Sequence, residues 1–474
     1  MTSSNESAAI DRIHANGTLP REGRRAPHRA ARRSAGLTTF ATSLAFFLTG
    51  MDTMIVNVAL PTITADLGGD MVLQQWMIDG YTLLFASLLL LAGSLSDRFG
   101  AKRAFLFGTA LFGVASLLSA FAWNMPMLIV GRCLMGVAAA LILPASMALI
   151  NEANPDPRRR AFALGIWGAG SASASAFGPL FGGLLTPIHW SLIFAVNVPF
   201  CLMVLALAPK IAPSPTRAIS FDWVGQALAL VGLASLTAGV IEIGSLGGSS
   251  PITLALLAAG VAALALFVLA QSKAGHPMVP LGLFRNQGMR ISLIVGFIMI
   301  FNWFGMVFVS TLFLQSERGM SPFAAGLAFV PSALVMVVTN VLSGRVITAT
   351  GTRFTVSLGL AVMGVGFLAA VLTPAPTPAW AIAAALSVVG LGGALVTPAL
   401  SGLVLESVEP RQVGIAGALF NTFRQVGGAI GVAVFGVVAT FTPSLDDSLR
   451  AVFVAAVILL AGAFAYARLR WNGR

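Results

Sequence analysis

Charge is what this chain has least of. Only 9% of its 474 residues are Asp, Glu, Lys or Arg, where an average soluble domain carries roughly 25%. A water-soluble surface cannot be covered from so small a polar stock. Cysteine is almost missing: Cys133 and Cys201 both lie inside apolar runs, which argues against a structural disulfide. The four histidines (His14, His28, His189 and His276) are scattered, so no Cys/His cluster suggests a metal site. No G-x-x-x-x-G-K-[ST] string is present to cradle nucleotide phosphates, which excludes ATP-driven work by that device. No segment between apolar runs is long enough for a catalytic domain, and no nucleophile–base pair stands out. An enzyme is therefore not expected.

What is present is apolar. Hydrophobic residues make up 57% of the chain and glycine contributes 50 positions, a composition that belongs in lipid, where small residues let helices approach closely. A membrane-crossing helix needs about 20 mostly apolar residues. Such runs occur near 38–61, 76–96, 104–123, 127–150, 161–185, 190–208, 223–243, 251–270, 291–314, 322–345, 354–372, 378–404, 412–439 and 449–469, which predicts fourteen spans.

The net charge of +11 is explained by where the bases fall. With the N-terminus placed in the cytoplasm, the arginines of the first 36 residues and the bases of every second loop lie on that side, as the positive-inside rule requires. Only Arg318 and Arg450 fall outside, while Arg132 and Arg424 lie within spans. Both termini are then cytoplasmic, and the expected location is a bacterial inner membrane. The first 36 residues read as a disordered basic tail that holds the N-terminus inside, and not as a secretory signal with a short apolar core. Lipid is the expected surrounding partner. Nucleic acid is not expected, and a monomer is.

The chain repeats itself. Gly93…Gly100-Ala101-Lys102, between spans 2 and 3, returns as Gly344…Gly351-Thr352-Arg353 between spans 10 and 11. Pro144-Ala145-Ser146 returns as Pro398-Ala399-Leu400-Ser401. The offsets, 251 and 254 residues, relate spans 1–6 to spans 9–14 in the same orientation, one of the known transporter plans. The organisation expected is a tail (1–36), an N-terminal six-helix bundle (37–209), two inserted helices with linkers (210–290) and a C-terminal six-helix bundle (291–474).

Ionisable groups within lipid are costly and mark function by default. Asp52 lies well inside span 1, Asp79 about one turn inside span 2, Arg132 inside span 4 and Arg424 near the middle of span 13. A carboxylate at Asp52 or Asp79 facing a central cavity could exchange a proton or hold a cationic substrate. Pairing of an aspartate with Arg132, for packing alone, is the structural reading. Asp79 is nearer the interface, where a charge can stay hydrated. Arg424 has no acid at its depth. The loop Gly93-Ser94-Leu95-Ser96-Asp97-Arg98-Phe99-Gly100-Ala101-Lys102-Arg103 reads either as a solvated basic loop or as a conformational switch in which Gly93 and Gly100 flank Asp97, Arg98 and Lys102. Gly178, Pro179, Gly182 and Gly183 in span 5 predict a bend with tight helix contact. The polar side chains Asn57, Asn197, Asn302, Asn340, Asn421 and Gln425 could line a cavity or join helices; Asn57, Asn302, Trp303, Asn421 and Gln425 are, with Arg424, the candidates for substrate binding.

Taken in order, seven segments resemble the fourteen-span drug:proton antiporter branch of the major facilitator superfamily. They are Met51-Asp52-Thr53…Asn57…Pro61, Trp76-Met77-Ile78-Asp79-Gly80-Tyr81, residues 93–103, Leu128…Arg132…Gly136, residues 174–184, Phe194-Ala195-Val196-Asn197-Val198-Pro199, and Asn421-Thr422-Phe423-Arg424-Gln425-Val426-Gly427-Gly428. The likeness covers the chain beyond the tail. It departs at Ala101, where a base is usual, at Met135, where Gln is usual, and at Ala174, where the motif's first Gly is usual. The resemblance implies an all-α membrane protein of two pseudo-symmetric six-helix bundles of the major facilitator type plus two extra central helices. The bundles would rock about a central site and export drug-like, antibiotic or toxic cationic or lipophilic compounds. Protons would be the coupling ion and no cofactor would be needed. Arg132 would assist proton transfer, and the span-5 motif would favour antiport. A dedicated exporter of one metabolite or self-made antibiotic, and an uncoupled facilitator, are the rival readings.

Overall fold

A computed structural model of the chain describes residues 25–216, 221–275, 277–374, 377–409 and 412–471. Most of the basic tail, together with Arg217, His276, Arg411 and Arg474, lies outside the described residues. Among the described residues, fourteen helices of ten residues or more follow one another: α1 Arg25–Leu67, α2 Met71–Phe99, α3 Ala101–Ala120, α4 Met125–Ala153, α5 Pro157–Leu185, α6 Asn197–Ala206 (preceded by the short turn Leu192–Ala195), α7 Trp223–Leu246, α8 Pro251–Lys273, α9 Gln287–Leu312, α10 Pro322–Thr350, α11 Thr352–Val371, α12 Ala379–Glu406, α13 Val413–Phe441 and α14 Leu445–Arg470. There is no strand among the described residues.

Among the described residues, thirteen helical stretches are long and apolar enough to cross a membrane. The exception is α5, whose 29 residues suffice in length but include Gly165, Gly168, Gly170, Ser171, Ser173 and Ser175. It is a span diluted by small polar residues, the kind used at helix–helix interfaces. Span 1 is longer than its apolar run. It begins at Arg25, within the segment expected to be tail, because Ala30-Ala31-Arg32-Arg33-Ser34-Ala35 are mostly good helix formers. The Ser34 hydroxyl ties this extension to the Lys210 carbonyl at 2.8 Å. At its other end α1 runs through Pro61 to Leu67.

The internal repeat is plain in the helices. Lengths of 29, 20, 29 and 29 residues for α2–α5 return as 29, 20, 28 and 29 for α10–α13. The joints between α2 and α3 and between α10 and α11 are single glycines at positive φ, Gly100 at +91° and Gly351 at +82°. A left-handed residue lets one helix stop and the next start within one position, and glycine adopts it without steric cost. In each half the first helix meets the fifth through glycine. A Cβ on Gly182 of α5 would stand 2.9 Å from the Ile55 carbonyl oxygen of α1, and one on Gly427 of α13 would stand 2.6 Å from that of Phe297 in α9.

The two inserted helices form a hairpin turned at Gly247, with Gly260 of α8 set against the backbone of Leu236 in α7. Only α7 of the pair packs widely on the halves. It lies on α2, where Gln226 Nε2 donates to the Ser87 carbonyl at 2.9 Å, and on α13, where Gly244 faces Thr440.

The halves touch chiefly at the end remote from the 97–103 loop. There Gln75 Nε2 of α2 donates to the Ala433 carbonyl of α13 at 2.8 Å, and Gln315 Nε2 donates to the Val58 carbonyl of α1 at 2.8 Å. Gly183 of α5 sits against the backbone of Phe323 in α10, and Gly326 of α10 against that of Pro179. Towards the loop end Gly165, Gly168 and Gly344 have nothing within 4 Å of where a Cβ would stand, so none of the three is a packing contact there. Arg318 and Arg450, the bases at the closed end, are tied up locally. Arg318 donates to the Thr377 carbonyl, and Arg450 pairs with Asp446 at 3.0 Å and donates to the Thr373 carbonyl at 2.8 Å.

Candidate functional site: a central cavity beside a buried ion pair

The close α1–α4 approach buries Asp52 and Arg132 together, at 0% and 1% exposure, and their side chains form a salt bridge from Asp52 Oδ2 to Arg132 Nη1. Removing two charges from solvent is costly unless their remaining hydrogen-bonding positions are filled. Most are filled here. Arg132 Nε donates to the Met77 carbonyl at 3.1 Å, and the guanidinium lies 4.5 Å from the centre of the Tyr81 ring, within cation–π range. Asp52 Oδ1 accepts from Asn197 Nδ2 at 3.2 Å, and that amide also donates to Ser116 at 3.0 Å, whose hydroxyl ends on the Phe194 carbonyl at 2.8 Å. Met135, at the place where Gln is usual in the resemblance, offers Arg132 Nη1 only a thioether at 3.9 Å. A thioether accepts weakly, so the guanidinium depends more heavily on Asp52.

Asp79 is placed differently from the hydrated interfacial position expected of it. It is fully enclosed, and neither carboxyl oxygen has a hydrogen-bond partner among the described residues. Helix α2 begins at Met71, five residues before the apolar run, and α13 of the other half covers it through the Gln75 contact. Both facts put Asp79 deeper than counting along the run implies.

Between the halves lies a cavity of about 200 Å³. The first half contributes Thr49, Gly50 and Thr53 of α1 and Phe85 of α2, so the face of α1 flanking Asp52 forms one wall although Asp52 itself does not line it. The second half contributes Trp303, Asn421, Arg424 and Gln425 among others. Four of the sequence candidates thus meet at one cavity. Asn57 and Asn302 do not: each turns back on its own helix, to the Thr53 carbonyl at 2.9 Å and the Ile298 carbonyl at 2.8 Å. That is the usual fate of a lone amide in an apolar helix. Asn197, which stands in the span-6 segment of the resemblance, joins helices instead of lining the cavity, and Ser116 is the partner that its local sequence does not distinguish from other hydroxyls.

The 97–103 loop is fastened to the segment that follows α6. Lys102 Nζ donates to the Ile211 carbonyl at 2.6 Å, and its backbone N–H donates to Ser214 Oγ at 3.0 Å. Ser214 in turn donates to Glu152 at the end of α4 at 2.5 Å. The Arg98 guanidinium stands 4.8 Å from the Phe221 ring centre. Gly100 is pressed against Ser214 as well as left-handed. In span 5, Gly178 and Gly182 face α1, and Pro179 and Gly183 face α10, so that this run packs against both halves. No group of three or more His, Cys, Asp or Glu able to hold a metal occurs among the described residues.

Comparison with known proteins agrees with this architecture. The family model of the Major Facilitator Superfamily matches residues 42–432 and, in a second match, 292–472. The methylenomycin A resistance protein of Streptomyces coelicolor is 35% identical over 436 residues, covering 91% of this chain and 90% of that protein. A protein of the same name from Bacillus subtilis is 35% identical over 400 residues, 84% of this chain and 86% of its own. The multidrug efflux pump LfrA of Mycolicibacterium smegmatis is 32% identical over 405 residues, 84% of this chain and 79% of its own. With fourteen helices, two repeated six-helix halves and these matches along its length, the chain belongs to the Major Facilitator Superfamily of multi-span membrane transporters.

Proposed function

We propose that this transporter exports drug-like or antibiotic compounds from the cytoplasm by alternating access, in exchange for protons moving inward. The observation that carries the reading is a cavity between two repeated halves, with a buried Asp52–Arg132 pair behind its α1 wall and an enclosed Asp79 on α2. Buried acids in a membrane transporter are expensive to keep, and proton relays are a principal use for them. With the basic loops on the cytoplasmic side, the contacts between the halves at the opposite end support reading this conformation as the one that loads substrate from inside.

The cycle follows from the cost of charge. An enclosed carboxylate without a donor is far more costly than the neutral acid in the same place. Asp79 therefore suits a group that holds its proton while the halves are closed over it and releases it when they part. Asp52 can do the same only if Arg132 finds another partner, so its protonation and the packing of α1 on α4 are linked. A membrane potential of 100 mV supplies about 2.3 kcal/mol per charge, before any pH gradient, which is adequate to drive uphill export. Protons are the only coupling agent the scheme requires; lipid and a small molecule are the only partners, with the protein acting as a monomer in the inner membrane. A dedicated exporter of one antibiotic is a second reading, favoured by the 35% identity to a protein named for resistance to methylenomycin A alone.

The test is twofold. Expression in an exporter-deficient host should raise the tolerated concentration of some members of a toxic-compound panel. Purified protein in liposomes should release protons when those members are added. Export without any proton flux would make the chain a facilitator. In the same liposomes Asp79→Asn should cut coupled transport about tenfold or more, and wild-type flux in that variant would remove Asp79 from the proton path. Asp97→Asn should slow turnover several-fold with substrate affinity held within a few-fold, because the loop is built into the α4 and α6–α7 contacts and not into the cavity. Wild-type turnover at equal expression would return the loop to a passive connector.

A further inference from the structure

Resting on the reading of the cavity as the transport site, we infer that its substrate is a compact lipophilic anion, such as an aryl or alkyl carboxylic acid, held by Arg424. Arg424 is the one ionisable side chain among the described residues that line the cavity. Among the described residues it has no counterion. Its Nε has no partner among the described residues, and Nη1 reaches only Asn421 Oδ1 at 3.4 Å. Asn421 Nδ2 is already committed to the Gly417 carbonyl at 3.1 Å, which turns the amide oxygen towards the guanidinium. Beneath it is the Phe420 ring, 5.6 Å from the guanidinium carbon.

The acids of the protein are spent or placed elsewhere. Asp52 is paired with Arg132, Glu406 and Glu409 are exposed at the loop end of α12, and Asp79 is six residues, or about 9 Å, along α2 from the lining residue Phe85. An intramembrane cation without a counterion is costly, and a carboxylate offers the planar, two-oxygen partner that a guanidinium fork fits best. Trp303, Met299, Met336 and Met363 supply apolar, adaptable walls for the rest of the ligand. At about 200 Å³ the space lies below the roughly 300–1,000 Å³ usual for drug-sized pockets, which selects a compact molecule. The cationic part of the range expected from sequence is disfavoured, since a cation would meet Arg424 with no acid to offset the repulsion.

The probes are 4-phenylbutyrate, its methyl ester and 4-phenylbutylamine, matched in shape and different in charge, bound to the purified full-length protein in phosphatidylcholine nanodiscs and followed by tryptophan fluorescence. The acid should bind at least tenfold more tightly than the amine and more tightly than the ester. Arg424→Gln should weaken the acid tenfold or more and leave the ester within twofold, which also reports that the variant is folded. Arg424→Lys should keep the preference for the acid. Equal binding of the three, binding of none, or an unchanged acid affinity in Arg424→Gln would overturn the inference. So would competition by phosphatidylglycerol at the same site, which would assign Arg424 to a lipid headgroup. Binding in a nanodisc needs neither a gradient nor vectorial transport. Loss of proton-linked export with the acid preference intact would therefore sink the exporter reading alone.

Discussion

Asp52→Asn is expected to abolish substrate-induced proton release in proteoliposomes. An amide keeps the size of the carboxylate and can still accept from Asn197, but it cannot titrate. It also strips Arg132 of its only anionic partner among the described residues, since the Met77 carbonyl and the Tyr81 ring are neutral. Breaking a buried pair from one side costs about 3–5 kcal/mol, because the surviving charge is left uncompensated. Arg132→Met should therefore lower thermal stability in detergent as much as Asp52→Asn does or more, and the double variant Asp52→Asn with Arg132→Met should recover much of the loss. Recovery of stability without recovery of coupling would separate the packing role of the pair from its chemical one. If Asp52→Asn still couples the two fluxes at the wild-type ratio, the proton site is elsewhere, and Asp79 becomes the first candidate.

Gly183→Leu is expected to stop transport by a different route. A Cβ at this position would lie 2.8 Å from the Phe323 Cα and 3.0 Å from the Pro322 carbonyl oxygen, both backbone atoms that cannot rotate away. The contact joins α5 of the first half to α10 of the second at the closed end. Overpacking of this kind typically costs about 1–3 kcal/mol, and here it falls only on conformations in which that end is shut. An equilibrium moves tenfold for each 1.4 kcal/mol of such one-sided cost. Spin labels at His189 and Leu372, across the same end, should report a longer mean separation in the variant, with export reduced to background. Unchanged separation and full export would show that the glycine is not a closure contact.

How much of this was readable beforehand depends on whether a property is local. The helices were readable because twenty apolar residues in a row have few other uses, and the repeat because Gly100 and Gly351 are required by the same left-handed joint 251 residues apart. Arg132 could be seen to need a buried acceptor, with two aspartates in the same half to choose from. Which one it takes is set by the approach of α1 to α4, a tertiary fact. Asp79 was misplaced for a related reason. Depth was counted from the end of an apolar run, whereas the helix starts earlier and a helix some 350 residues further on lies over it. Asn197 stood in a motif segment, but its partner Asp52 was not readable, and Ser116 left no signal, because a single hydroxyl looks the same in sequence whether it bonds its own helix or a group on another.

The position of α7 bears on how a lipophilic compound would reach the cavity. Two seams run between the halves, α2 against α13 and α5 against α10. Helix α7 lies over the first and contacts both of its members, while neither α7 nor α8 packs widely on the second among the described residues, where the faces of Gly165, Gly168 and Gly344 are open towards the loop end. A molecule dissolved in the adjoining leaflet therefore meets one seam roofed and the other bare. Each buried methylene adds about 0.8 kcal/mol to membrane partitioning. For a solute arriving through the bare seam, the concentration that matters is then the one in the bilayer, and apparent affinity measured against aqueous concentration should rise with chain length even where contacts inside the cavity stay the same.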